Sequence, residues 1–389
     1  MMKSHKISDR RSFLAGSMTL ACSILTACAQ PIKNRFDAVD ALVRHSVQNG
    51  ETPGAVVAIG HSEHVVHRYV YGNRALVPQH EPMTWETHFD MASLTKPTMT
   101  ALAVMQLTER GEIHLDDPVT HYLPSFGVNG KEDITLRLLL THYSGLPPDL
   151  PLEDTWTGKT EAIRRAMASP LINAPGEKFV YSDINFITLG LIVEKVSGLQ
   201  LNDYAIRNIL LPLGMTQSGY LPSSDLWPLI APTQYDERGI LLRGVVHDPT
   251  ARRMGGVAGH AGLFSDAHDM CLYAQSLLDR LAGRASTFPL KRETLELMVT
   301  PQQPEGKTDL RGLGWDISTH YSTPRGDIFS RRSFGHTGFT GTSLWIDPDS
   351  DSYVLILTNR VHPSGGHSVV KLRHDVATEA ARALRLVRS

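Results

Sequence analysis

The stretch MASLTKPTMTALAVMQL, Met91 to Leu107, decides how the rest of the chain is read. It is a strongly apolar helical pattern that begins with a serine and, one turn later, a lysine. Ser93 and Lys96 stand at i and i+3, so on a helix they share a face and reach each other. The helix start adds a partial positive charge beside Ser93. A serine hydroxyl is a poor nucleophile until its proton is removed, and a lysine amine can remove it when desolvation or a nearby charge lowers its pKa. Ala101, Leu102 and Met105 supply such burial for the helix.

An S-x-x-K pattern alone says little, because a chain of this length holds about one or two by chance. Ser368 and Lys371 repeat it on the C-terminal tail, with no polar constellation nearby in sequence, and read as a solvated helix start. The case for Ser93 therefore rests on two other segments. APGEKFVYSDINFITLG sets Tyr181, Ser182 and Asp183 immediately before a helical pattern, and FGHTGFTGTSLWID sets His336, Thr337 and Gly338 immediately before a strand.

The chain around these segments is that of a folded globular protein. It has 389 residues, 41% hydrophobic and 20% charged, enough to bury one large core or two modest ones. The net charge is −2, and no dense Lys/Arg run follows the first eleven residues, which argues against a nucleic-acid partner.

The N-terminus reads as an export signal over residues 1–27. SDRRSFLAGSMTLACSILTAC carries twin arginines, Arg10 and Arg11, then an apolar run from Phe13 to Ala27 too short for a comfortable transmembrane helix. Leu25 to Cys28 (LTAC) resembles a bacterial lipobox, which would leave Cys28 as a lipid-modified first residue; an ordinary secretory signal is the alternative. The expectation is a periplasmic, membrane-anchored lipoprotein. Removing residues 1–27 takes away four basic residues and one acidic residue and leaves −5, so charge alone would not hold the protein on an anionic membrane. Cys22 and Cys28 fall in this region, and Cys271 is left single, with no internal disulfide possible and the character of a small buried apolar residue.

The remainder, residues 28–389, reads as one catalytic domain. A helical pattern at Phe36 to Gln48 precedes GAVVAIGHSEHVVHRYVYGNRA, two strand-like runs joined at HSEH. From Ser93 to about Leu281 the periodicity is mostly helical, at Thr98 to Glu109, Leu136 to Thr141, Asn185 to Val196 and Asp266 to Leu281. Strands return at GLGWDI, around Phe334 and in SLWIDPDSDSYVLILTN, and Ser368 to Leu386 is an amphipathic helix. The simplest packing is an α+β one. One antiparallel sheet, built from about 35–90 and 300–389 and flanked by terminal helices, carries an inserted, mainly helical lobe from about 91–299, with the site in the cleft between.

The order S-x-x-K, Y-x-N, K-T-G resembles that of the serine β-lactamase, penicillin-binding protein and related esterase superfamily, class C type. GEIHLDDPVTHYLP, LLLTHYSGLP, LLPLGM and MGGVAGHAGLFS are similar to that family as well, so the resemblance spans Phe36 to Asn359. It implies a β-lactamase/transpeptidase-like fold, a nucleophile at Ser93, an acid/base partnership of Lys96 and Tyr181, and His336, Thr337 and Gly338 on the strand edging the cleft. It also implies an oxyanion site made by the backbone N–H groups of Ser93 and Phe339. A cation about 4 Å from a phenol is worth about 4 kcal/mol, or roughly three pKa units, at an effective dielectric near 20. On that arithmetic Tyr181 beside Lys96 would accept the Ser93 proton near neutrality.

Two positions depart from the family pattern. His336 stands where the K-T-G lysine would be, a weaker and pH-dependent cation, which suggests weaker or more acid-favoured recognition of a substrate carboxylate. Asp183 stands where the Y-x-N asparagine would be; a carboxylate cannot donate to a substrate amide carbonyl, but it can pair with Lys96, keep it charged and shift the base role to Tyr181. Both weigh against an efficient β-lactamase.

Other features have plainer readings. His61, His64 and His67 lie on strand and turn, where the spacing alternates faces, so no metal is expected there. His142 and His260 sit in Gly-bearing loops and read mainly as loop-fixing residues. Gly255, Gly256, Gly259 and Gly262 form no phosphate-binding pattern, and G-x-S-x-G is absent. The expectation is an exported serine hydrolase without cofactor, acting through a Ser93 acyl-enzyme on peptidoglycan-type D-amino-acid peptides or small esters. The alternatives are a carboxylesterase, a weak class C-like β-lactamase, and a penicillin-binding sensor with little turnover.

Overall fold

A computed structural model describes residues 34–387, so the twin arginines, the apolar run and Cys28 lie outside the described residues. Eight strands form an antiparallel sheet: β1 (Gly54–His61), β2 (His64–Ala75), β3 (Glu81–Pro82), β7 (Leu310–Arg311), β8 (Asp316–Ser318), β9 (Phe334–Thr337), β10 (Ser343–Asp347) and β11 (Ser352–Thr358). Their order across the sheet is β3-β2-β1-β11-β10-β9-β8-β7, so the two ends of the chain meet where β1 pairs with β11. The β1–β2 turn is Ser62–Glu63, with φ of 49° and 70°. Two left-handed residues match the twist of the flanking strands.

The central strands β1, β10 and β11 are buried almost end to end because both faces are covered. Ala55, Val57, Ile59, Trp345, Val354 and Ile356 pack against the helices Asp37–Gln48 and Val370–Ala383. Val56, Ala58, Leu344, Ile346, Leu355 and Leu357 join the larger core on the other face. Each fully buried aliphatic side chain contributes roughly 1.5–3 kcal/mol, so alternation along a strand ties both layers to one register.

The segment between β3 and β7 is mainly helical. Its helix Asp183–Ser197 buries every residue from Ile184 to Val193, which is why its sequence is apolar all round, and it stops at Gly198 in the left-handed region. Ala267–Leu281 starts at Asp266, whose carboxylate accepts from the Asp269 N–H. A second small sheet, β4 (Phe89–Asp90), β6 (Leu263–Ser265) and β5 (Gly219–Tyr220) in the order β4-β6-β5, was not legible as strands, being two or three residues each. Among the described residues no single helix is long and apolar enough to cross a membrane.

One expected element is wound differently. The sequence predicts a regular helix over Thr98 to Glu109; the regular α-helix begins only at Leu102, after a wider π-helical stretch Lys96–Ala101 and a tight turn Ala92–Leu94 that holds Ser93. Pro97 brings no N–H to the first turn, and Thr98 Oγ donates to the Leu94 carbonyl at 2.6 Å. The winding is local, and Ser93 and Lys96 still meet.

Candidate active site

Ser93 follows an abrupt change of direction at the end of β4. Met91 N–H donates to Leu263 O on β6, and Ala92 then takes a φ of 48°, unusual for a residue with a Cβ. Asp90 holds that turn. Its carboxylate accepts from the Ala92 N–H at 2.8 Å and from the His247 N–H at 2.7 Å, and its burial, the largest influence, pushes its pKa up to about 6.

Lys96 is fully buried, with its ammonium 3.1 Å from Ser93 Oγ, 2.9 Å from the His260 carbonyl and 2.6 Å from Asp183 Oδ1. Burial alone would lower its pKa, but Asp183 and Tyr181 outweigh that and hold it above the ordinary lysine value. Lys96 is therefore an ammonium at rest, as the Asp183 substitution suggested.

Tyr181 comes to the same point from the start of Asp183–Ser197. The ring of His142, itself at a φ of 61°, stacks on Tyr181 at 4.4 Å between centroids. His142 Nδ1 accepts from the Ser182 N–H at 3.1 Å, and the Ser182 hydroxyl donates to Pro147 O at 2.6 Å. His142 thus fixes the loop that carries Tyr181. The phenol interacts with both Ser93 and Lys96, yet its pKa lies above the ordinary tyrosine value. Burial raises it most, Lys96 pulls it down, and Asp183 pushes it up again. The expectation of a phenolate near neutrality left out the burial and the second charge; Tyr181 is a neutral phenol at rest.

The far wall is β9 and the turn after it. Thr340 Oγ donates to Asp90 O at 2.8 Å and Thr342 Oγ to Met91 O at 3.1 Å, so the turn bearing Phe339 is pinned to the segment bearing Ser93. Gly338 has to be glycine: a Cβ there would stand 2.1 Å from Thr342 Oγ and 2.7 Å from the Met91 carbonyl. His336 is buried and donates from Nδ1 to Thr337 O at 2.9 Å. Burial above all, together with Arg311, Lys96 and Arg373, holds its pKa well below the usual histidine value. The expected pH-dependent cation is a neutral imidazole, because burial disfavours its charge and the site already contains three positive neighbours.

Ser93, Tyr181 and Phe339 separate two cavities. One, of about 470 Å³, is also lined by Arg311, Arg360 and Arg373 and by a single acidic residue, Asp316, which pairs with Arg311 at 3.3 Å. The other, of about 420 Å³, has Asp183, Glu237, Asp248 and His260. There His260 Nε2 lies 2.8 Å from Asp248 Oδ1. Burial opposes a charge on His260, but Asp248 and Asp183 outweigh it and raise its pKa. Asp183, Asp248 and His260 have ligand atoms within 4.8 Å of one another, but Asp183 is already paired with the Lys96 ammonium and Asp248 with His260. His260, read mainly as loop-fixing, also lines the site. Asp90, Asp248, Arg311, Arg360 and Arg373 were missed, since nothing in their local sequence marks them.

The other expectations fall into place around this centre. Ser368 lies at the edge of the first cavity without a base, since Lys371 is exposed and ion-paired with Asp375. His61 turns to Ser352 and His67 to Asp40, so the three spaced histidines do not converge. Cys271 is buried and free.

Residues 39–378 match the Beta-lactamase family. A protein named "Putative D-alanyl-D-alanine carboxypeptidase" from Salmonella schwarzengrund (strain CVM19633) is 33% identical over 311 residues, 72% of this chain and 71% of its own. A solved class C β-lactamase superposes with a TM-score of 0.71 at 23% identity, covering 90% of this chain and 96% of that one. EstCE1, described as a hydrolase with promiscuous acyltransferase activity, gives 0.71 at 21% identity, covering 89% and 98%.

Proposed function

The chain belongs to the β-lactamase family and is a serine hydrolase of that superfamily; from that premise we propose that it cleaves carboxylate-ended, D-amino-acid peptides of the peptidoglycan type through a Ser93 acyl-enzyme. The observation that carries this reading is the cavity beside Ser93 lined by three arginines, of which one is paired with the single aspartate there, a surplus of positive charge suited to a peptide's C-terminal carboxylate. The name of the Salmonella relative supports the same substrate class.

The resting protonation states lay out a balanced sequence. As Ser93 Oγ attacks the scissile carbonyl, its proton passes to Lys96 Nζ while Lys96 passes one to Asp183 Oδ1. The oxyanion is held by the Ser93 and Phe339 N–H groups. On collapse the C–N bond breaks, and the Tyr181 phenol gives its proton to the leaving amine. The phenolate, beside the Lys96 ammonium, then takes a proton from the incoming water. When the second tetrahedral intermediate collapses, the proton on Asp183 returns through Lys96 to Ser93 Oγ. Every group ends as it began.

A second reading, a carboxylesterase, is favoured by the neutral state of His336, which leaves that strand without its own cation. In either case the protein works outside the cytoplasm, anchored through Cys28. The test incubates the purified domain and Ser93→Ala with diacetyl-Lys-D-Ala-D-Ala, a fluorescent penicillin and p-nitrophenyl acetate, following D-alanine release and intact mass. D-Alanine release that depends on Ser93 supports the peptide reading. Ester turnover without D-alanine release replaces it with the esterase, and no adduct on wild type overturns both.

A further inference from the structure

Arg373 is an anomaly. It lies on the helix Val370–Ala383, is only 6% exposed, and among the described residues no carboxylate pairs with its guanidinium. Its Nη2 instead donates to two backbone carbonyls, Gly338 O and Thr342 O, both at 2.8 Å. A buried charge without a counter-charge is costly, and a neutral donor would serve as a clamp. The placement therefore calls for a reason in which the charge itself matters.

The reason lies in which carbonyl receives it. Gly338 C=O belongs to the same peptide group as Phe339 N–H, the second oxyanion donor. A cation on the oxygen of an amide draws electron density through its resonance and leaves the N–H on the other side a stronger donor. Arg360 makes the informative contrast: its Nε donates to Phe339 O at 2.9 Å, which belongs to the next peptide and polarises the Thr340 N–H. Thr342 O, the other carbonyl under Arg373, also receives the Gly338 N–H at 2.7 Å, so the same guanidinium group closes the turn.

We propose that Arg373 is a positioning residue for the hydrolysis: its guanidinium, seated on Gly338 O, aims and polarises the Gly338–Phe339 peptide so that the Phe339 N–H binds the developing oxyanion more strongly. The inference rests on the reading of Ser93 as nucleophile and Phe339 N–H as oxyanion donor. No residue at 339 can supply or remove this effect through its side chain. The device therefore lies three dozen residues away on the last helix.

The experiment is isotope-edited infrared spectroscopy of the acyl-enzyme formed with a penicillin carrying a ¹³C-labelled lactam carbonyl. It uses wild type, Arg373→Gln and Arg373→Lys, with acylation rates and thermal melts for each. Arg373→Gln keeps a neutral donor near Gly338 O, and Arg373→Lys keeps a cation, guarding against a loss that reflects folding alone. Removing an oxyanion donor outright costs about 10²–10³-fold, so weakening one is expected to slow acylation roughly tenfold in Arg373→Gln. Its acyl carbonyl band should move to higher wavenumber, with the lysine variant falling between. An unmoved band in both Arg373 variants, with lower melting temperatures only, would reduce Arg373 to a structural clamp. Absence of any Ser93 adduct in wild type would remove the hydrolase reading first, and this inference with it.

Discussion

The Lys96 ammonium is paired with the Asp183 carboxylate at 2.6 Å while standing 3.1 Å from the Ser93 hydroxyl. An asparagine at 183 could accept a hydrogen bond from Lys96 but could not take its proton, so the aspartate makes a proton relay available. Asp183→Asn is expected to lower kcat for p-nitrophenyl acetate by about 10²–10⁴-fold, the usual worth of a general acid–base group. Stability should fall by about 1–3 kcal/mol, less than for a buried pair broken outright, because an amide oxygen remains for Lys96. Stopped-flow kinetics and urea denaturation measure the two. An unimpaired kcat would mean that the serine proton leaves by another route.

In the proposed cycle Tyr181 acts at leaving-group protonation and again at attack by water. Tyr181→Phe should therefore leave an acyl-enzyme that forms slowly and hydrolyses more slowly still. A nitrophenyl ester, whose leaving group needs no proton, bypasses the first role. The variant is expected to keep the wild-type burst with this substrate, while D-alanine release from the peptide, whose leaving amine takes the Tyr181 proton, falls by roughly 10²-fold or more. Equal loss with both substrates would instead make Tyr181 a partner in activating Ser93.

What the sequence made legible was what repeats locally. The β-rich runs GAVVAIGH and SLWID and the turns at HSEH and DPDSDS placed the central strands, and Ser93, Lys96, Tyr181 and His336 stood in short segments with recognisable spacing. The rest depends on distance along the chain. Asp248 meets His260 through a loop closure, and Arg373 reaches Gly338 from the last helix, 35 residues on. Burial is the other invisible quantity. Tyr181 was assigned its charge from its neighbour alone and His336 from the ordinary histidine pKa, and desolvation, the largest influence on both, reversed the assignment.

For His336 the reversal has a measurable sign. Its pKa is depressed in the folded protein, so its contribution to stability is present above the unfolded value near 6.5 and is lost as pH falls below it. His142 is depressed in the same direction by burial. The two histidines therefore contribute a decline in stability on acidification below about pH 6.5, and His336→Gln should remove part of that contribution. A neutral His336 also predicts that KM for a carboxylate-ended peptide stays flat between about pH 5.5 and 7.5, a range centred on the unperturbed histidine pKa. A KM that rises tenfold across that range would restore His336 as the carboxylate-binding cation.

Asp90 works in the opposite sense. Its folded pKa is raised to about 6 from 3.8, chiefly by burial, so between those values the folded protein binds a proton that the unfolded chain has released. Stability then falls as pH rises from about 4 to about 6, by up to about 3 kcal/mol at 1.36 kcal/mol per unit, and changes no further above that. Asp149 is raised to about 6 as well, so the wild-type slope contains both groups, and only the difference from Asp90→Asn isolates one. That variant keeps a single acceptor for the two N–H groups that Asp90 now serves, those of Ala92 and His247. Urea denaturation at pH 4.5, 6 and 7.5 is expected to show the Asp90→Asn profile flatter than wild type, whereas parallel profiles would mean that Asp90 is ionised throughout. The carboxylate is retained at a cost in stability because both of its oxygens are in use. One holds the left-handed turn that presents Ser93, and the other holds the loop that brings Asp248 to His260. Slower acylation in Asp90→Asn, at a pH where its stability equals wild type, would express that geometric role apart from the electrostatic one.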